Sequence, residues 1–208
     1  MDDDELARMT AMGDQLDAAH RERLRYRKRV YRDGPDPDVE PEQPIRVWRE
    51  ADIWCAVLRG PVGALCGYAR VPDEHPWAGL DVHDPAPGPG ADLEQPAEQA
   101  IDDYGAITVF AAAGNLDGWQ RTLEAHVPVH GGLTWAGPMP IAGAPHGWWL
   151  GFDCGHAGDA IDPAHAAHPA ILRDGHLWTE DEVALEVKRM VTAIRATATT
   201  TTTKKRPA

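Results

Sequence analysis

Prolines decide where this chain can build regular structure, because each one fixes φ and removes a backbone donor. They are bunched. Pro35–Pro44 (PDPDVEPEQP) and Pro85–Pro96 (PAPGPGADLEQP) hold four each. Neither run can sustain a helix or a central strand, so both read as solvated connectors. They divide the chain into a charged N-terminal helix at 1–34, a Pro-rich acidic linker at 35–44 and a single domain at 45–196. That domain carries a Pro-rich acidic insertion near 84–100. The Thr-rich tail at 197–208 has little apolar surface to bury and is expected to be disordered.

Charge follows the same partition. The chain carries 20 Lys and Arg against 33 Asp and Glu, a formal net charge of −13. Residues 35–103 hold fifteen acidic against four basic side chains, whereas residues 1–34 balance at eight each. Most of the imbalance therefore lies in the third of the chain at 35–103, much of it in the connectors, where it favours solubility and opposes a general nucleic-acid coat. One segment runs the other way: Arg21 to Arg29 places six basic residues in nine. It reads either as a nucleic-acid or partner arm, or as a solvated helix end whose cations suit the C-terminal dipole. Only Tyr26 and Tyr31 interleave it, which favours the solvated end.

The remaining composition bounds the class. At 43% hydrophobic over 208 residues the chain can bury a core. No stretch approaches the roughly 18 apolar residues of a membrane span. The opening Met-Asp-Asp-Asp-Glu lacks the charge and the apolar run of a secretory signal. Three cysteines, Cys55, Cys66 and Cys154, cannot form a disulfide framework, which points to a reducing compartment. The expectation is a cytoplasmic protein with no membrane partner, and nucleic acid met, if at all, through the basic helix at 21–29.

Patterning gives an α+β fold, a small antiparallel sheet with N- and C-terminal helices. Residues 3–31 read as a helix with a thin stripe of Leu6, Met9, Leu16 and Leu24. Ile45 to Arg49, Ile53 to Leu58 and Ala64 to Val71 read as strands, the last two forming a hairpin around Gly60-Pro61-Val62-Gly63. Residues 97–104 suggest a helical turn, and Ile107 to Ala112 a buried strand or helix segment. Leu133 to Ala136 and the aromatic run Trp148 to Cys154 complete the strands, and His156 to Gly175 reads as loop. Thr179-Glu-Asp-Glu182 is a capping box that opens a helix with Val183, Val187, Met190, Val191 and Ile194 on one face.

Walker A, G-x-G-x-x-G, G-x-S-x-G, H-E-x-x-H and C-x-x-C patterns are absent, which removes most of the readily recognised enzymes, though not enzymes in general. What remains is a set of reactive residues beside glycines. Period 2 places Leu150, Phe152, Cys154 and His156 on one strand face, from which two side chains two residues apart converge on one ion. Cys154, His156 and His130 are therefore candidate metal ligands, with His75 as an alternative and a water in the open position. Asp153 and Asp159 are candidates for general base, ligand orienter or further ligand. Burial beside Leu150 and Phe152, or backbone bonding at glycine turns, is the competing role for each. A Cys154 nucleophile ranks below a metal, since nothing in the sequence supplies the cationic setting a thiolate needs. His83, His126, His146, His165, His168 and His176 read as mostly solvent-facing. Trp77, Trp135, Trp148 and Trp149 are either core or an aromatic ligand wall.

The order of three blocks carries a resemblance. CGYARVPDEHPW (Cys66–Trp77), VHGGLTWAG (Val129–Gly137) and WWLGFDCGHAGD (Trp148–Asp159) together resemble a group of small bacteriophage and prophage proteins without an assigned function. The resemblance implies a phage origin and one domain, but no activity, cofactor or catalytic residue. Ala78 to Pro128 is long compared with that group. The residues make a cytoplasmic metal-assisted hydrolase using a divalent metal such as zinc the leading expectation, and the resemblance adds that it is of phage type. The rival expectation is a non-enzymatic accessory protein that binds a small-molecule ligand or a host protein; a third is a structural or assembly-linked phage protein.

Overall fold

The computed structural model describes residues 18–19, 21–35, 38–86, 88, 122–171 and 174–204. The first part of the N-terminal helix, most of the acidic insertion, the segments at 97–104 and 107–112, and the last four residues lie outside these.

The architecture is α+β, as the patterning predicts. Helix α1 (21–33) precedes strands β1 (Arg46–Glu50), β2 (Ile53–Arg59) and β3 (Leu65–Val71). Then follow β4 (Trp135–Pro138), β5 (Trp148–Asp153), the short β6 (Asp159–Ala160) and β7 (His176–Leu177), and helix α2 (Glu180–Lys204). The first five strands form one antiparallel sheet in the order β1-β2-β3-β5-β4, and β6 pairs in parallel with β7. Two tight connections fix the register. Ala51 and Asp52 both take left-handed φ, 46° and 70°, the signature of a two-residue hairpin turn whose twist matches its strands. Gly60 to Ala64 closes the β2–β3 hairpin at the predicted place, and Gly63 carries the positive φ of 97°.

β5 lies between β3 and β4, with Cys66 opposite Asp153 and Trp135 opposite Gly151. Its WWLGFD sequence is buried on both faces up to Phe152. One face packs Trp148, Leu150 and Phe152 with Val57, Ala69 and Val71 against Val183, Val187, Met190 and Ile194 of α2. Each Val, Leu, Ile, Met or Phe side chain among them, fully buried, contributes about 1.5–3 kcal/mol. Gly67 permits the approach: a Cβ there would run into the Phe152 ring and sit 2.7 Å from Val187 Cγ2. The opposite face buries Trp149 with Ala56, Leu58 and Ile141.

The capping box forms as read. Glu182 N–H donates to Thr179 Oγ1 at 3.3 Å, and Thr179 N–H donates to Glu182 Oε2 at 2.8 Å. The helix then passes into the segment assigned to a disordered tail. Thr197 is buried and its hydroxyl donates to the Ala193 carbonyl at 3.1 Å, so the start of that segment belongs to α2. α1 is anchored through one of its basic residues. Arg27 donates to Asp81 and to the Ala136 carbonyl, each at 2.9 Å, and lies 4.3 Å over the Trp135 ring. No helix among the described residues is long and apolar enough to cross a membrane.

Candidate functional site

The site begins where β5 stops. Asp153 accepts the Gly155 amide on Oδ1 at 3.0 Å, a local turn that ends strand geometry one residue before Cys154. Period 2 therefore does not reach His156. Cys154 points into the core with Leu150 and Phe152, 1% exposed, while His156 sits on the turn beyond. The predicted pairing of Cys154 with His156 on one face is thus corrected.

Asp159 is the hub of what does assemble. It is 3% exposed, and its two oxygens accept three donors. Oδ2 takes His130 Nε2 at 2.8 Å and the His156 amide at 2.9 Å; Oδ1 takes Trp178 Nε1 at 2.9 Å. Burial pushes its carboxyl up, but these hydrogen bonds outweigh that and hold it below the usual carboxylate range. The His130 ring lies 4.4 Å from the Trp178 ring and meets the His156 ring edge-on at 5.4 Å. His156 Nδ1 stands 3.7 Å from Asp159 Oδ2 and 3.9 Å from Asp153 Oδ1. That nitrogen is buried and has no hydrogen-bond partner. Gly131 makes room for the ring, since a Cβ at this left-handed position, φ 66°, would collide with the imidazole.

His130, His156 and Asp159 can each offer one ligand atom, and these lie within 4.8 Å of one another. Ligands at zinc-like distances in a tetrahedron sit about 3.3–3.5 Å apart. The 2.8 and 3.7 Å separations bracket that spacing. The group could therefore hold a metal ion with small side-chain movements. His130 would then present a lone pair where it now donates a proton, and Oδ2 would keep the His156 amide.

The other sequence candidates sit elsewhere. Among the described residues no second group of this kind occurs, and Cys154 and His75 stand outside this one. Burial, and then nearby Asp159, pushes the Cys154 thiol well above its ordinary value, which disfavours a free thiolate nucleophile, and its place in the core keeps it out of the His–Asp group. His75 is 6% exposed, its Nε2 2.8 Å from the Ile194 carbonyl and its Nδ1 accepting the Trp77 amide at 3.1 Å. It fastens the 72–77 turn to α2. Of the six histidines expected to be mostly solvent-facing, His83, His165, His168 and His176 are exposed, while His126 and His146 are partly buried beside the Ala86 and Tyr31 carbonyls respectively. Trp77, Trp148 and Trp149 are core, and Trp135 lies beneath Arg27, so none of the four forms a wall at the site.

No match to this chain is found among protein-family models, characterised proteins or solved structures. The geometry of the chain itself therefore carries the functional reading. Two residues at the site escaped the sequence. Trp178 was signalled only by its place just before the capping box. Glu186, a carboxylate between Val183 and Val187 on the apolar face of α2, is 7% exposed and accepts the His130 amide at 3.0 Å. Trp178 also lines a cavity of about 110 Å³ with Arg59, Leu65, Cys154 and Ile161. His130, His156 and Asp159 do not line it, so that cavity is separate from the His–Asp group.

Proposed function

We propose that this is a phage-type, metal-assisted hydrolase in which His130, His156 and Asp159 hold a divalent transition ion such as zinc. The observation that carries the reading is His156 Nδ1, buried and without a hydrogen-bond partner, 3.7 Å from the Asp159 carboxylate that His130 also meets. A buried polar atom left unpaired costs about 1–3 kcal/mol, and an ion would satisfy it. Two imidazoles and one carboxylate form a borderline donor set suited to zinc, with a fourth position left for water or substrate. The imidazoles are 27% and 31% exposed, so the group lies near the surface although His156 Nδ1 itself is buried. An ion of this kind lowers the pKa of its water to about 7 and polarises a carbonyl or phosphoryl oxygen. Asp153, 36% exposed and 3.9 Å from His156 Nδ1, is the base assigned to take a proton from the attacking water.

One observation favours a second reading. Asp159 already has three hydrogen-bond donors, so the group can serve as a knot tying the 129–132 turn to β6 and Trp178 in a non-enzymatic ligand-binding or host-protein-binding accessory protein. The discriminating experiment is a screen of zinc- and manganese-loaded protein against ester, amide and phosphoester substrates. The proposal expects turnover that chelator abolishes and that Asp153→Asn lowers by about 10²-fold or more. Metal-loaded protein that hydrolyses none of these classes would favour the binding protein.

A further inference from the structure

We infer that Glu186 is a positioning residue for the metal ligand His130, an inference that rests on the proposed metal site. A carboxylate on the buried face of a helix is expensive unless paired and hydrogen-bonded. On α2, Glu186 falls between Val183 and Val187, both fully buried. Its two oxygens have different partners. Oε1 meets Arg189 Nη1 at 3.1 Å, an i, i+3 pair on the outer side of the helix, where Arg189 is 58% exposed. Helix geometry alone accounts for that contact. Oε2 instead reaches across 56 residues of sequence to accept the backbone amide of His130 at 3.0 Å.

The recipient segment needs such a tie. Gly131 and Gly132 both have left-handed φ, 66° and 82°, and the turn closes with the Gly132 amide donating to the Val129 carbonyl at 3.0 Å. Two consecutive glycines give a backbone with many alternative conformations, and His130 stands at its entrance. The His130 imidazole is fixed at its far end by Asp159 and flanked by Trp178. Its backbone end is fixed by Glu186. Bound metal would remove the direct Nε2–H bond to Asp159, leaving the Glu186 contact to hold the residue in register. Groups that orient a metal ligand in this way typically change metal affinity by 10–100-fold when lost.

The test is zinc affinity, by competition with a chromophoric chelator, for the full chain and three variants. Glu186→Asp keeps the charge but is one methylene too short to reach the His130 amide. Glu186→Gln keeps the reach and an acceptor oxygen but loses the charge. Arg189→Met removes only the outer ion pair. The expected result is a weakening of about 10-fold or more in Glu186→Asp, with the other two within about 3-fold of the unsubstituted chain. Apo-protein melting of Glu186→Asp and Glu186→Gln, followed in parallel, should be alike, so that lost stability alone does not account for the difference. Unchanged affinity in Glu186→Asp, or equal loss in Glu186→Gln, would overturn the inference. An unsubstituted chain with no zinc affinity would instead remove the metal site on which it stands, and the inference with it.

Discussion

His75 and His130 carry the same side chain, and their surroundings give them different work. His130 is part exposed and faces a carboxylate, whereas His75 is enclosed by Trp77 and α2 with backbone on both nitrogens. Burial holds the His75 imidazole below its ordinary value, and the hydrogen bond to the Ile194 carbonyl only partly offsets that. The unfolded chain therefore takes up this proton at a higher pH than the folded one. Stability owed to His75 is complete above about pH 6.5 and declines as pH falls from there toward the lower folded value. Urea midpoints compared at about pH 7.5 and about pH 5.5 should show the unsubstituted chain losing more stability than His75→Asn. Equal losses would mean that His75 titrates alike in both states.

At the scale of elements, local chemistry was legible and long-range contact was not. The β2–β3 hairpin, the β5 aromatic run and the Thr179–Glu182 capping box each follow from residues within a few positions of one another, and each forms. Replacing Thr179 by Ala should destabilise the protein by about 1 kcal/mol, read as a shift of the denaturant midpoint at constant slope. A shift near zero would show that the cap is redundant with α2 packing. The site was half legible. His130, His156 and Asp159 stood out as reactive types beside glycines, but His156 was wrongly paired with Cys154 because the strand period was carried past the Asp153 turn, while Cys154 keeps the core face of Leu150 and Phe152. Trp178 and Glu186 stayed hidden because their partners lie 19 and 56 residues away, and no local pattern reports such distances. The hairpin at Ala51–Asp52 was missed for another reason: neither residue is the glycine that usually marks two left-handed positions.

Over the whole molecule, the two helices are held by different forces. α2 is fastened by an apolar face laid on β2 and β3. α1 presents a thinner contact in which Arg27, bonded to Asp81 and to the β4 edge, replaces part of the missing apolar surface. The basic run is therefore not wholly solvated, and one cation of it is structural. Arg27→Ala should raise amide exchange in residues 21–33 while leaving β5 and α2 protected. Exchange that rises equally in all three would instead show that α1 folds as one unit with the sheet.

The sheet, the 129–132 turn and the start of α2 meet at His130, His156 and Asp159, and whether these hold an ion is the central question. The most direct measurement is metal content after loading with zinc and removal of excess, for the unsubstituted chain, His156→Ala and Cys154→Ala. One equivalent of zinc is predicted for the unsubstituted chain and for Cys154→Ala, and none for His156→Ala. Zinc absent from the unsubstituted chain, or retained in full by His156→Ala, would contradict the account.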